Sequence, residues 1–383
     1  MRVDFYGGFG EKGRTCVGIE SGGFRLLLDA GVKTSARGSG DYYPAISAER
    51  LEKTDAMIVT HGHEDHLAAV GWCIERGFSG RMFMTDETRS EAEPCLEAYA
   101  GTEHLNLFRR SRVDRLGLGN DVLRLGPLRI ATGRSGHIAG GVWCCVDDGR
   151  AKFTYCSDIV PSSGIFPMDP IPRCEAIAID ASYGDDDVPA DRRAAQVSAW
   201  IAAQSGGCVL PTTLYGRSLE LFAVIPGRVA LAPGMREALA MQIEGDAWLV
   251  QGKSALLRGR LDAAEDWCED STLPPAALLC HDAMGMAGPS KKILEMARTE
   301  SRPTLFTGHL PKNSSGERMV SEGRAVWIRL PTHPTLSENR TIVASSHAKL
   351  VLGHSCEPAM LARLAMHVAV LRTDIATGAH IDV

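Results

Sequence analysis

Residues 61–66 read His61-Gly62-His63-Glu64-Asp65-His66, directly after the apolar run 56–60. Four potential metal ligands lie within six positions, at the mouth of an expected strand. His61 and His63 are two apart, so an extended backbone points both imidazoles to one side. Gly62 between them leaves room and permits an unusual dihedral. Asp65 and His66 follow where the chain turns into the apolar stretch 67–72. One cation cannot readily take all four side chains, so the spacing suggests two adjacent cations. A polar loop with incidental histidines would not combine these residue types, this order and this setting.

A catalytic zinc site takes histidine nitrogen and carboxylate oxygen and keeps one position open for water. Further ligands are therefore sought at strand ends. Asp29 closes the run 26–28, His137 sits in Ser135-Gly136-His137-Ile138-Ala139-Gly140-Gly141, Asp158 follows 153–157, and Asp180 closes 176–179. Each alone also reads as a turn or cap residue; their order along the chain gives them weight together. The elements that position them are strand-sized apolar runs at 15–20, 25–29 and 128–131, with helical stretches at 64–76 and 87–99. Strands mixed with helices of this size indicate a layered α/β arrangement. A helix from about 191, a strand at 207–211, a helix at 216–225 and a strand at 304–307 read as a second, parallel-sheet unit. The last forty residues return to strand, helix, strand at 349–353, 358–370 and 374–376.

The chain has 383 residues, 44% hydrophobic and 23% charged, with net charge −6. That is ordinary for a globular protein. It argues against a generally adhesive nucleic-acid coat, although a local basic cleft remains compatible. Nothing resembles an 18-residue apolar span or a secretory signal, so a cytoplasmic location is expected. The 11 cysteines contain no CxxC pair and sit mostly in apolar strings. They are expected to be buried free thiols of a reducing compartment.

In Asp29, the 61–66 motif, His137 and Asp158, the chain resembles the metallo-β-lactamase superfamily. Phe5-Tyr6-Gly7-Gly8-Phe9-Gly10-Glu11 is similar to the opening of the RNase J branch. Later residues resemble the β-CASP nucleases. Asp180-Ala181-Ser182-Tyr183-Gly184 looks like motif A. Gly206-Gly207-Cys208-Val209-Leu210-Pro211, followed by Tyr215-Gly216-Arg217-Ser218-Leu219-Glu220, looks like the opening of the inserted domain. Residues 285–290 and 307–318 look like later landmarks. His354 is taken as motif B, ahead of His309 and His347, because a strand leads in and a helix leads out. His380 is taken as motif C, although it stands in Gly378-Ala379-His380-Ile381-Asp382 where the family usually has His-Gly-Glu or His-Gly-Asp.

The resemblance implies an α/β fold: an αββα metallo-β-lactamase sandwich with an inserted β-CASP parallel α/β domain. The expected division is 1–188 for the first part of the core, 189–342 for the insert and 343–383 for the return. A short form without the C-terminal domain of full-length RNase J is expected. Two zinc ions, with manganese as a substitute, are implied: His61, His63 and His137 on one, Asp65, His66 and His380 on the other, and Asp158 bridging. Metals roughly 3.5–4 Å apart would clamp a phosphodiester during attack by water. Asp65, Asp158, Asp180 and His354 are the expected catalytic residues, with His354 as the acid oriented by Asp180. Asp29 is expected to support the histidine loop rather than bind metal. Ser182, Tyr183, Arg217, Ser314 and Ser315 are the expected substrate contacts. The implied partner is single-stranded nucleic acid, RNA over DNA because of His380, with a homodimer open. Cutting from a 5′ end and cutting internally both stay open. The alternatives are a DNA exonuclease of the same fold, a small-molecule metallo-hydrolase and a binding subunit without metal.

Overall fold

The computed structural model describes residues 1–36, 38–311 and 314–383. Two seven-stranded sheets form the core. The first runs, in spatial order, His380–Asp382, Arg2–Gly7, Cys16–Ser21, Phe24–Leu28, Ala56–Ile58, Arg81–Met84 and Val113–Arg115. The second runs Leu371–Arg372, Leu350–His354, Ala176–Asp180, Lys152–Tyr155, Val142–Asp147, Leu128–Arg134 and Gly119–Leu125.

Side-chain alternation explains why these strands stack as layers. Phe5, Val17, Leu26 and Leu28 from the first sheet meet Ile130, Cys144, Phe153 and Tyr155 from the second in one buried cluster. The intervening residues face outward and need helices over them. Leu27, Met57 and Met82 pack under the helices Val70–Glu75, Asp86–Tyr99 and Gly101–Arg110. Ile177, Ile179 and Val351 pack under Leu336–Ser346 and Pro358–Ala365. The order helix, sheet, sheet, helix is the expected αββα sandwich.

The second lobe carries a four-stranded sheet ordered Cys208–Pro211, Ala277–Cys280, Val229–Leu231 and Glu265–Asp266. Every pairing in it is parallel. A further parallel pair, Leu305–Phe306 with Val326–Trp327, sits beside it through a bridge from Thr304 to Val209. The two lobes meet along a seam. Ser163 in the core loop bonds Glu220 on the helix Arg217–Val224, Arg134 Nη1 donates to the Ala247 carbonyl at 3.0 Å, and Val250 N–H donates to Ile165 O at 2.8 Å.

Three local expectations need correction. The helix expected over 64–76 is two short helices, Glu64–Leu67 and Val70–Glu75, because Ala69 N–H is drawn to Ala30 O at 2.8 Å. No strand forms at 374–376, since this stretch crosses from the edge strand Leu371–Arg372 of one sheet to His380–Asp382 at the edge of the other. The expected boundary at 342 falls inside the helix Leu336–Ser346, which packs on the core strand Ala176–Asp180, so the core resumes before 342. All 11 cysteines are unbonded, and Cys268 is the one that is exposed. Among the described residues no helix is long and apolar enough to cross a membrane.

Candidate metal centre

The site lies where the carboxyl ends of core strands converge. Three of those ends carry a non-glycine residue at positive φ: Asp29 at 64°, Ser157 at 55° and Ser355 at 57°. Such backbone costs on the order of 1–3 kcal/mol per residue and persists only where packing dictates it. Here it turns the chain sharply beside each cluster of polar side chains.

Asp29 is the hub of the buried layer beneath the site. Its Oδ1 accepts from Thr60 N–H at 2.7 Å. Its Oδ2 accepts from Thr60 Oγ1 at 2.9 Å, from His66 Nδ1 at 2.7 Å and from the Tyr155 hydroxyl at 2.8 Å. Because His66 spends Nδ1 on Asp29, its Nε2 points at Asp158 Oδ1, 3.3 Å away. Burial alone would depress His66, but Asp158, Asp29 and Asp65 hold its pKa well above the usual histidine value. His61 is oriented in the same manner, with Nδ1 facing Thr60 Oγ1 at 3.2 Å and Ser157 Oγ at 3.3 Å. His137 Nδ1 donates to the Thr332 carbonyl at 2.8 Å, which turns its Nε2 toward His63 Nδ1 at 3.0 Å. Each ring is thus held from behind, as metal-ligating histidines generally are.

His61, His63, His137 and Asp158 each offer one ligand atom, all within 4.8 Å of one another. Burial pushes His61 and His137 well below the ordinary histidine pKa and His63 down to about 4, so these three stay neutral donors. Asp158 keeps its charge despite burial, because His66 and His333 hold its pKa well below the carboxylate range. The decisive feature is what lacks a partner. His61 Nε2, His63 Nε2 and His354 Nε2 are buried without a hydrogen-bond partner, and His66 Nε2 and Asp158 Oδ1 are buried facing only each other, at 3.3 Å. Buried polar atoms are nearly always satisfied, and five in one place form a donor set of imidazole and carboxylate suited to divalent cations.

His380 does not join this group. It lies on an exposed edge strand, in register with Asp4, four strands away from the one that leads into the histidine loop. At about 4.8 Å per strand that is roughly 19 Å across the sheet. The late histidine that ends a core strand beside Asp180 is His354. Asp180 and His354 end adjacent parallel strands in register. The His354 ring packs 5.2 Å from that of Tyr155, and its protonation responds to Asp180, Asp158 and His66 after the dominant effect of burial.

His354 in turn does not bond Asp180. That partner is His333, which the sequence reading did not single out. His333 Nδ1 lies 2.8 Å from Asp180 Oδ2 and 3.8 Å from Asp158 Oδ2, and these three residues form a second candidate ligand group. Asp180 is fixed by Ser182 N–H on Oδ1 at 3.0 Å and Ile159 N–H on Oδ2 at 3.3 Å. A signal for His333 did exist: it stands in Pro331-Thr332-His333-Pro334-Thr335, and Thr335 with Glu338 forms a capping box that starts the next helix. A histidine between two prolines at a helix entry is a rigidly presented side chain.

Of the other candidates, Asp65 points toward the site, its Oδ2 4.0 Å from His66 Nε2. Tyr183 lies against His333 with ring centroids 5.1 Å apart, and its hydroxyl accepts from Thr332 N–H at 3.0 Å. Arg217 Nη2 donates to Thr332 Oγ1 at 2.9 Å. Ser182 Oγ is buried without a partner. Ser314 instead caps the helix Ser315–Ser321 through Glu317 N–H, and Ser315 contacts Met286 and Arg318. Those interactions account for both serines locally, so neither is assigned to the site. Both rivals for motif B, His347 at a helix C-cap and His309 in the loop before the helix Ser315–Ser321, are exposed side chains.

The family model of the metallo-beta-lactamase superfamily matches residues 10–203. The chain belongs to this superfamily. Within it, the similar proteins are of the β-CASP type. The transcription termination factor FttA of Methanococcus maripaludis is 26% identical over 252 residues, covering 59% of this chain and 39% of that protein. Cleavage and polyadenylation specificity factor subunit 3 of Dictyostelium discoideum is 23% identical, over 59% of this chain and 32% of that one. Ribonuclease TTHA0252 of Thermus thermophilus is 22% identical over 86% of this chain and 84% of its own. The chain spans about two fifths of the length of the first of these curated relatives. A solved protein of unknown function from Enterococcus faecalis superposes over 99% of both chains with a TM-score of 0.64 at 12% identity, so the two share a fold along their whole length.

Proposed function

We propose that this chain is a metal-dependent nuclease that hydrolyses phosphodiester bonds of single-stranded RNA. The observation that carries the reading is the set of buried ligand atoms on His61, His63, His66, His354 and Asp158 that find no partner outside the set. We assign His61, His63, His137 and Asp158 to one cation, and Asp65, His66, His354 and Asp158 to a second. Nitrogen and carboxylate donors without thiolate suit zinc, with manganese as a substitute. Bound there, two divalent cations supply Lewis-acid charge and lower the pKa of water to about 7.

The chain's own residues do the rest. Asp29 fixes the orientation of His66. His333, held by Asp180, takes the role of proton donor to the leaving oxygen, which the sequence reading gave to His354. Arg217, close to Thr332, contributes positive charge for the phosphate. The preference for RNA was tied to a histidine at motif C; His354 now occupies that role in place of His380. Relatives named as a ribonuclease, a cleavage and polyadenylation factor and a transcription termination factor support the same substrate class.

The test is digestion of end-labelled RNA and DNA of one sequence, with 5′-phosphate and 5′-hydroxyl ends, beside metal quantification on the same sample. Two equivalents of zinc per chain and cleavage of RNA, lost on chelation and restored by zinc, are expected. A folded, metal-loaded chain that cuts neither strand overturns the proposal, and cutting of DNA alone overturns the substrate assignment.

A further inference from the structure

Beyond the metal-binding residues, a continuous run of aromatic and cationic side chains leads from His333 to the surface of the second lobe. The Tyr183 ring lies 5.1 Å from His333. The Arg329 guanidinium carbon lies 4.3 Å from the Tyr183 ring centroid and 5.3 Å from that of Trp327. Arg329 is pinned by Asp186, which also holds Arg193. Trp327 is pinned by its Nε1–H donating to the Gly308 carbonyl at 2.7 Å. A Cβ on Gly308 would fall 2.3 Å from Arg217 Nη1, so the loop that anchors Trp327 also abuts the proposed phosphate-binding arginine. Trp327 nevertheless leaves 38% of its surface to solvent, among the few large apolar side chains that do.

An indole fixed by its only donor, set against a cation and left partly bare, has the chemistry of a base-stacking platform. Stacking is sequence-tolerant because every nucleobase has a π face, and arginine adds a cation–π contribution. Packing alone would favour burying this ring. A docking protein would be expected to use a wider apolar patch than Val326 and Trp327 provide. Arg329 and Arg193 share the single carboxylate of Asp186, and the positive charge left over, with that of Arg217, favours a polyanion.

We propose that Trp327, backed by Arg329 and Tyr183, stacks an unpaired nucleobase a few nucleotides from the bond that is cut. This rests on the nuclease reading and adds where a base outside the reacting phosphate is held.

The experiment is an abasic scan. A series of RNAs, each with one abasic nucleotide at a different distance from the cleavage site, is cut by the wild-type chain and by Trp327→Ala and Trp327→Tyr. A matched DNA series shows whether the base alone or the sugar too is read. One position is expected to raise KM about 5- to 100-fold in the wild type. Trp327→Ala should impose the same penalty on intact RNA and become insensitive to that abasic position, while Trp327→Tyr restores the sensitivity. A flat scan in a chain that cuts RNA overturns the platform and leaves the nuclease reading standing. Penalties of variant and abasic site that multiply independently do the same. Failure of the wild type to cut either polymer overturns both. If Trp327→Ala does not fold, the wild-type scan and Trp327→Tyr still decide the matter.

Discussion

The near wall of the site comes from six consecutive residues, 61–66, braced by Asp29. The far wall comes from Asp158, Asp180, His333 and His354. Asp180 and His333 are 153 residues apart in the chain yet 2.8 Å apart in space. In the near wall, spacing fixes geometry: an extended turn presents His61 and His63 together, and one short helical turn presents Asp65 and His66. In the far wall geometry comes from strand order. Asp180 and His354 are neighbours only because Ala176–Asp180 and Leu350–His354 pair in parallel and in register. Asp158 belongs to both walls, facing His61, His66, His137 and His333 within 4 Å.

The sharpest way to break this comparison is therefore at the shared residue. Asp158→Asn should lose metal and lower RNA cleavage by roughly a thousandfold or more, since it removes the one carboxylate common to both ligand groups. Metal content and single-turnover rates on the same preparation check this. A variant that keeps its metal and cuts normally would show that the two walls do not share a centre.

Next in size is a contrast among three histidines. His333→Ala should lower kcat about 10²- to 10⁴-fold while metal content stays intact, the range expected for loss of a proton donor. His354→Ala should lose metal as well as rate. His380→Ala should leave both within twofold of the parent, because that side chain is exposed on an edge strand. Loss of metal in the His380 variant, with His333→Ala fully active, would reverse the assignment.

The same contrast explains what could be read from the sequence. The near wall was legible because its chemistry is local, and so were Asp29, Asp158 and Asp180, each following an apolar strand, and His137, set in a glycine-rich turn. The layered α/β arrangement was legible because continuous apolar runs such as 26–28 must bury both faces, and the sandwich itself followed from the family resemblance. Choosing among the late histidines was a different problem. His333, His354 and His380 all follow plausible strands or turns, and only pairing tells which strand end reaches the site. His380 ends up paired to Arg2–Gly7 at the edge of the first sheet, whereas His354 terminates a strand of the second. The proposed platform was invisible for a similar reason, because Tyr183 and Trp327 meet only through the folded position of Arg329.

A smaller effect sharpens the role of the brace. Asp29→Asn keeps the shape but removes the charge that holds His66 in one tautomer. Metal affinity should weaken about 10- to 100-fold, read by competition with a zinc chelator. An unchanged affinity would mean that Thr60 and Tyr155, not His66, are the reason Asp29 is buried there.

The smallest effect tests the seam that holds the second lobe, and with it Arg217, against the loop after Asp158. Burial pushes Glu220 up to about 7, opposed by its bond to Ser163 and by the charge of Lys253. The sign follows from proton linkage. A carboxyl whose pKa is higher folded than unfolded binds more protons in the folded state between the two values. Folding stability then falls as pH rises from about 4.5 to about 7 and is level beyond. With allowance for partial solvent access, the loss is roughly 2 kcal/mol, or a few degrees in Tm. Glu220→Gln keeps an acceptor for Ser163 and cannot ionise. Its Tm should exceed that of the parent at pH 8 and match it at pH 5. An equal difference at both values would mean that Glu220 is already charged in the folded protein, paired with Lys253, and that the seam is an ion pair.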